Sequence, residues 1–308
     1  MRCVKVRAPA TIANVVCGFD CIGFAVENPF DEISVELINE KTVRIEHIDN
    51  FNLPTEANKN VAGRALLAML EKVSLKKGFK VTIKKGMKPG SGIGSSAASA
   101  IGSVFAANEL LGKPFNSNDL IEFALEGEFL ASGSKHADNL APCLLGGFVL
   151  VRSVEPLDIV RLNSPKLFVT IIHPQIEIKT SEARSVLPER ISLKDAVSAW
   201  ANVGALVASL EKKDYELLAR SLKDKIIEPV RKRFIPKFDE MKQASLMAGA
   251  IGGGIAGSGP SVFMLSKSEG IARKVEKAIA EVFASTGIDF KTYVSRLSSC
   301  GVVVEEFS

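Results

Sequence analysis

Tryptophan and tyrosine are scarce, with one Trp and two Tyr among 308 residues, which leaves little for base stacking and argues against a nucleic-acid surface. The net charge of +4 points the same way, being too mild to hold a phosphate backbone. Apolar runs long enough for a bilayer are missing, since stretches such as Ala97–Ala107 are broken by Ser and Gly. The start Met1-Arg2-Cys3-Val4-Lys5 has no apolar core of a secretion signal, so a cytoplasmic location is expected. Cysteines are few and odd in number: Cys3, Cys17, Cys21, Cys143 and Cys300. Cys17 and Cys21 stand at C-x₃-C spacing, but no second Cys or His cluster completes a zinc site, and inert thiols in a reducing cytosol are expected. Internal repeats and low-complexity tracts are absent. Carboxylates vanish between Glu71 and Glu109, a window that holds Lys72, Lys76, Lys77, Lys80, Lys84, Lys85 and Lys88. A solvated lysine face is the usual meaning of such a run; beside a glycine loop, an anionic ligand becomes the better one.

What is present reads as a globular chain, 46% hydrophobic and 24% charged, of a length that suggests two fused domains. Period-two patterning predicts strands at Cys3–Arg7, Ile33–Leu37, Val43–Ile45 and Phe79–Ile83. Helices are predicted over Asn60–Lys72, Ser95–Leu111 and Ser117–Ser132, and Gly146-Gly147 opens a strand over Phe148–Arg152. The segment Ser153–Lys166, with two prolines and mixed charge, reads as a crossover between domains, set at 1–155 and 156–308. Strand Leu167–Ile172 follows, then helices Leu193–Leu210, Tyr215–Asp224 and Lys237–Ala248, and strand Ser261–Leu265. Helix Glu269–Ser285 and strands Thr292–Leu297 and Val302–Glu306 finish the chain. This order predicts an α+β fold in both halves.

The most informative segment is Pro89-Gly90-Ser91-Gly92-Ile93-Gly94-Ser95-Ser96-Ala97-Ala98, between a predicted strand and a helix of small residues. Its alternating glycines allow positive φ and close approach of backbone to a ligand. The helix N-terminus behind them offers free N–H groups and the positive end of a dipole. Ser95 and Ser96 add hydroxyls suited to capping, phosphate or metal. A Walker A loop would need Lys after Gly94, where Ser95 stands; a dinucleotide fingerprint needs G-x-G-x-x-G, and the spacing here is G-x-G-x-G. The loop reads as a phosphate site, without saying which reaction.

At this point the sequence resembles the GHMP kinases (galactokinase, homoserine kinase, mevalonate kinase and phosphomevalonate kinase). Three motifs occur in order: Ala8-Pro9 through Asn14 to Gly18-Phe19-Asp20, the glycine loop, and Ile255-Ala256-Gly257-Ser258-Gly259-Pro260-Ser261. The likeness spans nearly the whole chain. Within the family the homoserine kinase branch is nearest, through Asn14, Asp20, Lys135-His136-Ala137-Asp138-Asn139, Thr180 to Arg184, and Glu228-Pro229-Val230-Arg231. Two positions depart from the mevalonate kinase pattern: Thr11 stands where those enzymes carry a lysine, and Asn139 where they carry a base aspartate. The resemblance implies an N-terminal domain like domain 2 of ribosomal protein S5 and a ferredoxin-like C-terminal domain, with the site between them. It implies ATP and Mg²⁺, homoserine as acceptor in threonine biosynthesis, and a homodimer. The alternatives are a related kinase for another small alcohol such as mevalonate, or a regulator that binds nucleotide without catalysis.

Candidate residues then fall into sets. At 100° per residue, Glu128 lies on the packed side of its helix between Ile121 and Ala124, whereas Glu122 and Glu126 face away. A packed carboxylate needs a cation or hydrogen bonds, and the resemblance puts magnesium on Glu128 with Ser96. His136, Asp138 and Asn139 lie just beyond that helix; His136 suits a proton relay or an ordinary loop hydrogen bond, and the resemblance makes this segment line the acceptor pocket. Asn139 can orient a hydroxyl but cannot take its proton. Asp138 remains a candidate base, unless the proton passes directly to the γ-phosphate. Arg184 and Arg231 can clamp a carboxylate, while Asp20 and Asn14 can accept from an ammonium. The resemblance adds Thr180 and His136 to the acceptor set. It gives Asn60 a contact with adenine, a role compatible with a plain helix N-cap, and it assigns Lys88 and Pro89–Ala98 to the nucleotide. Gly257, Ser258 and Gly259 are expected to lie beside the glycine loop, with Gly257 and Gly259 at positive φ.

Overall fold

The computed structural model describes residues 3–73, 75–178 and 180–307. Alternating apolar residues along β1 (Cys3–Ala13) and β2 (Ile22–Ile38) put Val4, Val6, Ile33 and Val35 into one core, and the two strands pair antiparallel. β2 is long enough for two further partners. Its first residues, Ile22–Phe24, meet β5 (Phe148–Val154), and Glu32–Ile38 meet β4 (Gly78–Lys84). β4 runs parallel to β3 (Val43–His47), a pairing that requires a crossover, which α1 (Val61–Lys72) supplies. Among the described residues this sheet has seven strands, completed by β6 (Leu157–Leu162) on β5 and by β11 (Val303–Phe307) on β1.

Helices α1, α2 (Ser95–Leu110), α3 (Ser117–Ser132) and α4 (Leu140–Leu145) pack on this sheet and on one another. α2 is thin, built of Ser, Ala and Gly, and buried nearly all round, so β1 and β2 approach it closely. A second sheet takes the order β10 (Phe290–Arg296), β7 (Phe168–Pro174), β9 (Val262–Ser266), β8 (Gly252–Ile255). Helices α9 (Phe238–Met247) and α10 (Glu269–Ala284) pack against it. Around them lie α5 (Thr180–Ser185), α6 (Leu193–Lys212), α7 (Tyr215–Ser221) and α8 (Glu228–Arg231). The fold is α+β, and no helix of the described residues is long and apolar enough to cross a membrane.

The structure corrects three boundaries. The expected crossover Ser153–Lys166 contains β6, because Leu157, Ile159 and Leu162 continue the sheet pattern beyond the turn at Glu155-Pro156 and hydrogen-bond back to β5. β2 begins at Ile22 rather than Ile33: ladder pairs to β1 and β5 hold Ile22–Ala25, and pairs to β1 resume at Phe30. The stretch between is held by a bridge from Val26 to Leu297 and by the Asn28 N–H donating to Ser295 Oγ. α7 stops at Ser221, short of the expected Asp224, whose carboxylate instead accepts the N–H groups of Ile226, Ile227 and Glu228. All five cysteines are free thiols, and burial pushes Cys17 up to about 12.

Candidate active site

β4 leads straight into the glycine loop, and Gly94, at φ 73°, starts α2 without a side-chain cap. The amides of the first turn therefore receive no cap from the protein. Gly92 has φ 80°, and a Cβ there would sit 2.5 Å from the Gly259 carbonyl oxygen and 2.6 Å from that of Ala256. A Cβ on Gly94 would collide with the Thr11 hydroxyl. The expected positive φ is present at Gly90, Gly92 and Gly94; at the last two the missing side chain makes room for protein, while a Cβ on Gly90 would meet nothing nearer than Glu177 Cγ at 3.9 Å. The third motif does lie against the loop. Gly257 and Gly259 have φ 57° and 85°, and Ser261 donates to the Ser91 carbonyl from its hydroxyl at 2.6 Å and its N–H at 3.3 Å.

Beneath the loop lies a buried ion pair that the sequence did not single out. Lys85 Nζ contacts the Asp31 carboxylate and donates to the Ser95 carbonyl at 2.7 Å and to Ser99 Oγ at 2.9 Å. Asp31 Oδ1 accepts the N–H groups of Gly86 at 2.9 Å and Met87 at 3.1 Å. The available signal was a charged Asp31 between the apolar residues Phe30 and Ile33; Lys85 was hidden in its lysine run.

The loop forms one wall of a cavity of about 600 Å³. At one end stand His47, Leu53, Pro54, Asn60 and Leu130. The Asn60 amide is fully engaged: Oδ1 caps α1 by accepting from Ala62 and Gly63, and Nδ2 donates to the Pro54 carbonyl at 2.7 Å and His47 Nε2 at 3.2 Å. Ser96 and Ala97 line the cavity, whereas Ile93 and Ala98 are buried in the core and Lys88 reaches toward Gln175 at 3.4 Å. Ser258 lines the wall, and Gly259 only packs behind Gly92.

The other end gathers Asn14, Asp20, Glu128, His136, Asp138, Asn139, Arg184 and Arg231 from five separate segments of the chain. Asn14 Oδ1 accepts from the Asp20 N–H at 2.9 Å, and its Nδ2 donates to the Gly257 carbonyl at 2.8 Å. Asp20 and Arg184, read from sequence as serving opposite ends of a substrate, here form a bidentate pair at 2.9 and 3.1 Å. Arg184 Nη2 also lies 2.9 Å from His136 Nε2. Arg231 is buried, donates to the carbonyls of Ala183 and Gly257, and shares the Phe19 ring with Arg184. Burial, then the neighbouring Arg184 charge, lowers the pKa of Arg231. Glu128 is half-buried and sets its Oε1 3.8 Å from His136 Nδ1, and this carboxylate, against burial, raises the His136 pKa. Asp138 is pushed up to about 7 by burial and then by the charge of Asp20. Glu122 faces solvent as expected, but Glu126 pairs with Arg64 and Lys135. The Thr180 side chain lies outside the described residues.

The two departures seen in the sequence meet in space, Thr11 Oγ1 standing 2.7 Å from Asn139 Oδ1. Among the described residues no cluster of three His, Cys, Asp or Glu side chains is shaped to hold a metal by itself. The cavity thus offers an anion loop at its centre, with a paired acid and base cluster at one end.

This arrangement has relatives. The family descriptions "GHMP kinases N terminal domain" and "GHMP kinases C terminal" match residues 60–147 and 206–285. A homoserine kinase of Chlorobium phaeobacteroides (strain BS1) is 47% identical over 298 residues, covering 92% of this chain and 93% of that protein. The crystal structure of homoserine kinase from Cytophaga hutchinsonii ATCC 33406 superposes with a TM-score of 0.94 at 50% identity, covering 98% of this chain and 97% of that one. An L. major mevalonate kinase in complex with R-mevalonate has a TM-score of 0.71 at 16% identity, over 96% and 97% of the chains, a likeness of fold alone. With motifs, fold and near-full-length relatives in agreement, the chain belongs to the GHMP kinase family, in its homoserine kinase group.

Proposed function

We propose that this chain transfers the γ-phosphoryl group of ATP to the side-chain hydroxyl of L-homoserine, giving O-phospho-L-homoserine, the activity named for relatives that share nearly half its residues. The observation that carries the acceptor is the Asp20–Arg184 pair on the cavity wall, with Arg231 behind it. A zwitterion can exchange with that pair, its ammonium going to Asp20 and Asn14 and its carboxylate to the two guanidinium groups, so that neither charge is stranded. An amine-free hydroxy acid such as mevalonate would take Arg184 and leave Asp20 unpaired.

The glycine loop and the first turn of α2 receive the nucleotide phosphates, while Leu53, Pro54 and Leu130 flank the base, with Asn60 organising that end through its cap. Ser96 and Glu128 present hard oxygen donors to the same cavity. That pair fits Mg²⁺ arriving with ATP, since this ion keeps most of its shell as water and phosphate oxygens and would supply charge neutralisation there. As the acceptor oxygen bonds to the γ-phosphorus and the bond to the ADP oxygen breaks, the hydroxyl proton passes to Asp138, which burial has brought near neutral pH as a base. Residues 1–155 supply the nucleotide loop and residues 156–308 the two arginines, although β6 and β11 join the first sheet. A cytoplasmic homodimer fits this reading, with Leu193, Val197 and Trp200 exposed along α6.

The test is an ADP-release assay with homoserine, mevalonate and galactose, on wild type and Asp20→Asn. Wild type should prefer homoserine, and Asp20→Asn should lose at least ~30-fold in homoserine kcat/KM, about 2 kcal/mol. A wild-type preference for mevalonate, or unchanged homoserine kinetics in Asp20→Asn, overturns the assignment.

A further inference from the structure

We infer that Thr11 is a positioning residue for phosphoryl transfer, whose hydroxyl fixes the Asn139 amide so that Nδ2 faces the transferring group. The inference rests on the homoserine phosphotransfer reading above and deepens it. Thr11 is fully buried on β1, beside the register shift between Pro9 and Thr11. Its N–H donates to the Ile93 carbonyl of the glycine loop at 3.2 Å, and its side chain fills the space that Gly94 leaves open. Its Oγ1 then reaches Asn139 Oδ1 at 2.7 Å, across 128 residues of sequence. One buried residue therefore ties the phosphate loop to the amide beside Gly94.

The direction of that bond follows from donor chemistry. A carboxamide oxygen only accepts, so the threonine hydroxyl must donate to it. Asn139 stands at the N-cap position of α4, yet its side chain makes no capping bond, and Nδ2 donates to no protein group among the described residues. That N–H₂ is the free functional group, and Asn139 lines the cavity with Gly94 and Ser96. Two N–H donors aimed at a phosphoryl group stabilise the charge on its oxygens, whereas the reversed amide would set a carbonyl oxygen against an anion. The asparagine thus acts as a donor to the phosphoryl group, and Thr11 holds it there. Without the hydroxyl, the amide is free to rotate about χ2 and present either end.

The experiment is steady-state kinetics of the full chain for wild type, Thr11→Val, Thr11→Ser, Asn139→Ala and Thr11→Val/Asn139→Ala. Valine matches threonine in shape and removes only the hydroxyl. Thr11→Val should lower kcat at least ~30-fold, with the KM values for ATP and homoserine within about 3-fold of wild type, and Thr11→Ser should recover to within about 5-fold. In the Asn139→Ala background the same substitution should cost less than about 3-fold, because the group it acts through is gone. Should Thr11→Val prove insoluble, Thr11→Cys, a weak donor, must show the same kcat loss. A Thr11→Val enzyme within 3-fold of wild-type kcat, or a loss that multiplies with that of Asn139→Ala, overturns the inference. Wild type inactive on homoserine would instead overturn the functional reading beneath it.

Discussion

Asp138 shows what burial does to a carboxylate that no cation fully compensates. Its pKa of about 7 means that the folded protein holds a proton there which the unfolded chain, near 3.8, has already released. The sign follows: this side chain favours the unfolded state increasingly as pH rises through that window, and the full penalty, on the order of 4 kcal/mol, is present above pH 7. Asp138→Asn removes the term. Its stability advantage over wild type should therefore grow by ~2–3 kcal/mol between pH 5 and pH 8, read from denaturant unfolding at each pH. An advantage constant with pH would mean that Asp138 is ionised throughout. Most of the candidate residues that line the acceptor end of the cavity were legible in the sequence, because Asn14, Asp20, Arg184 and Arg231 stand in segments that resemble the family's and have the residue types an amino-acid acceptor requires. Their mutual arrangement was not. Asp20 and Arg184 lie 164 positions apart, and nothing local records that each is the other's partner.

The glycine loop behaves as an element with two clipped ends. Asp31 grips its entry through Gly86 and Met87, Lys85 grips its exit through Ser95 and Ser99, and the two side chains are bonded to each other. Lys85→Met strands a buried carboxylate and should cost roughly 3–5 kcal/mol of stability, with a rise in ATP KM that exceeds any change for homoserine. Lys85→Met/Asp31→Asn removes both charges while keeping an acceptor for the loop amides. The double variant should regain much of the stability, yet stay poor in ATP KM because the exit remains unclipped. If unfolding and ATP KM recover together, the pair has a structural role only. Helices were read well from sequence where they carry their own punctuation, as with the Asn60 cap of α1 and the Asn116 capping box of α3. β6 was missed because proline and mixed charge describe a turn and an exposed surface equally well. Its strand character comes from β5, which supplies the hydrogen bonds.

At the scale of the molecule, the two halves are bound by more than the covalent chain. The third motif, from the second sheet, fits into the glycine loop of the first, and β11 crosses back to lie along β1 with Glu305 paired to Lys5 and Arg7. Deleting residues 303–308 removes that ladder and should cost roughly 1–3 kcal/mol, a few net hydrogen bonds, without loss of the fold. The exposed edge of β1 should also make the truncated protein self-associate on concentration, measurable by light scattering beside a thermal melt. A truncated protein as stable and as dispersed as the full chain would show that β11 is dispensable.

That returning strand also sets an order of events during synthesis. Of the described strands β1 is translated first and β11 last, so the edge of β1 stays unpaired from its own synthesis until residues 303–307 are made. A chain cut before residue 303 presents that edge permanently to chaperones and proteases, while one that carries β11 covers it with its own strand. Burial of the β1 edge is thereby made conditional on a segment translated about 290 residues later.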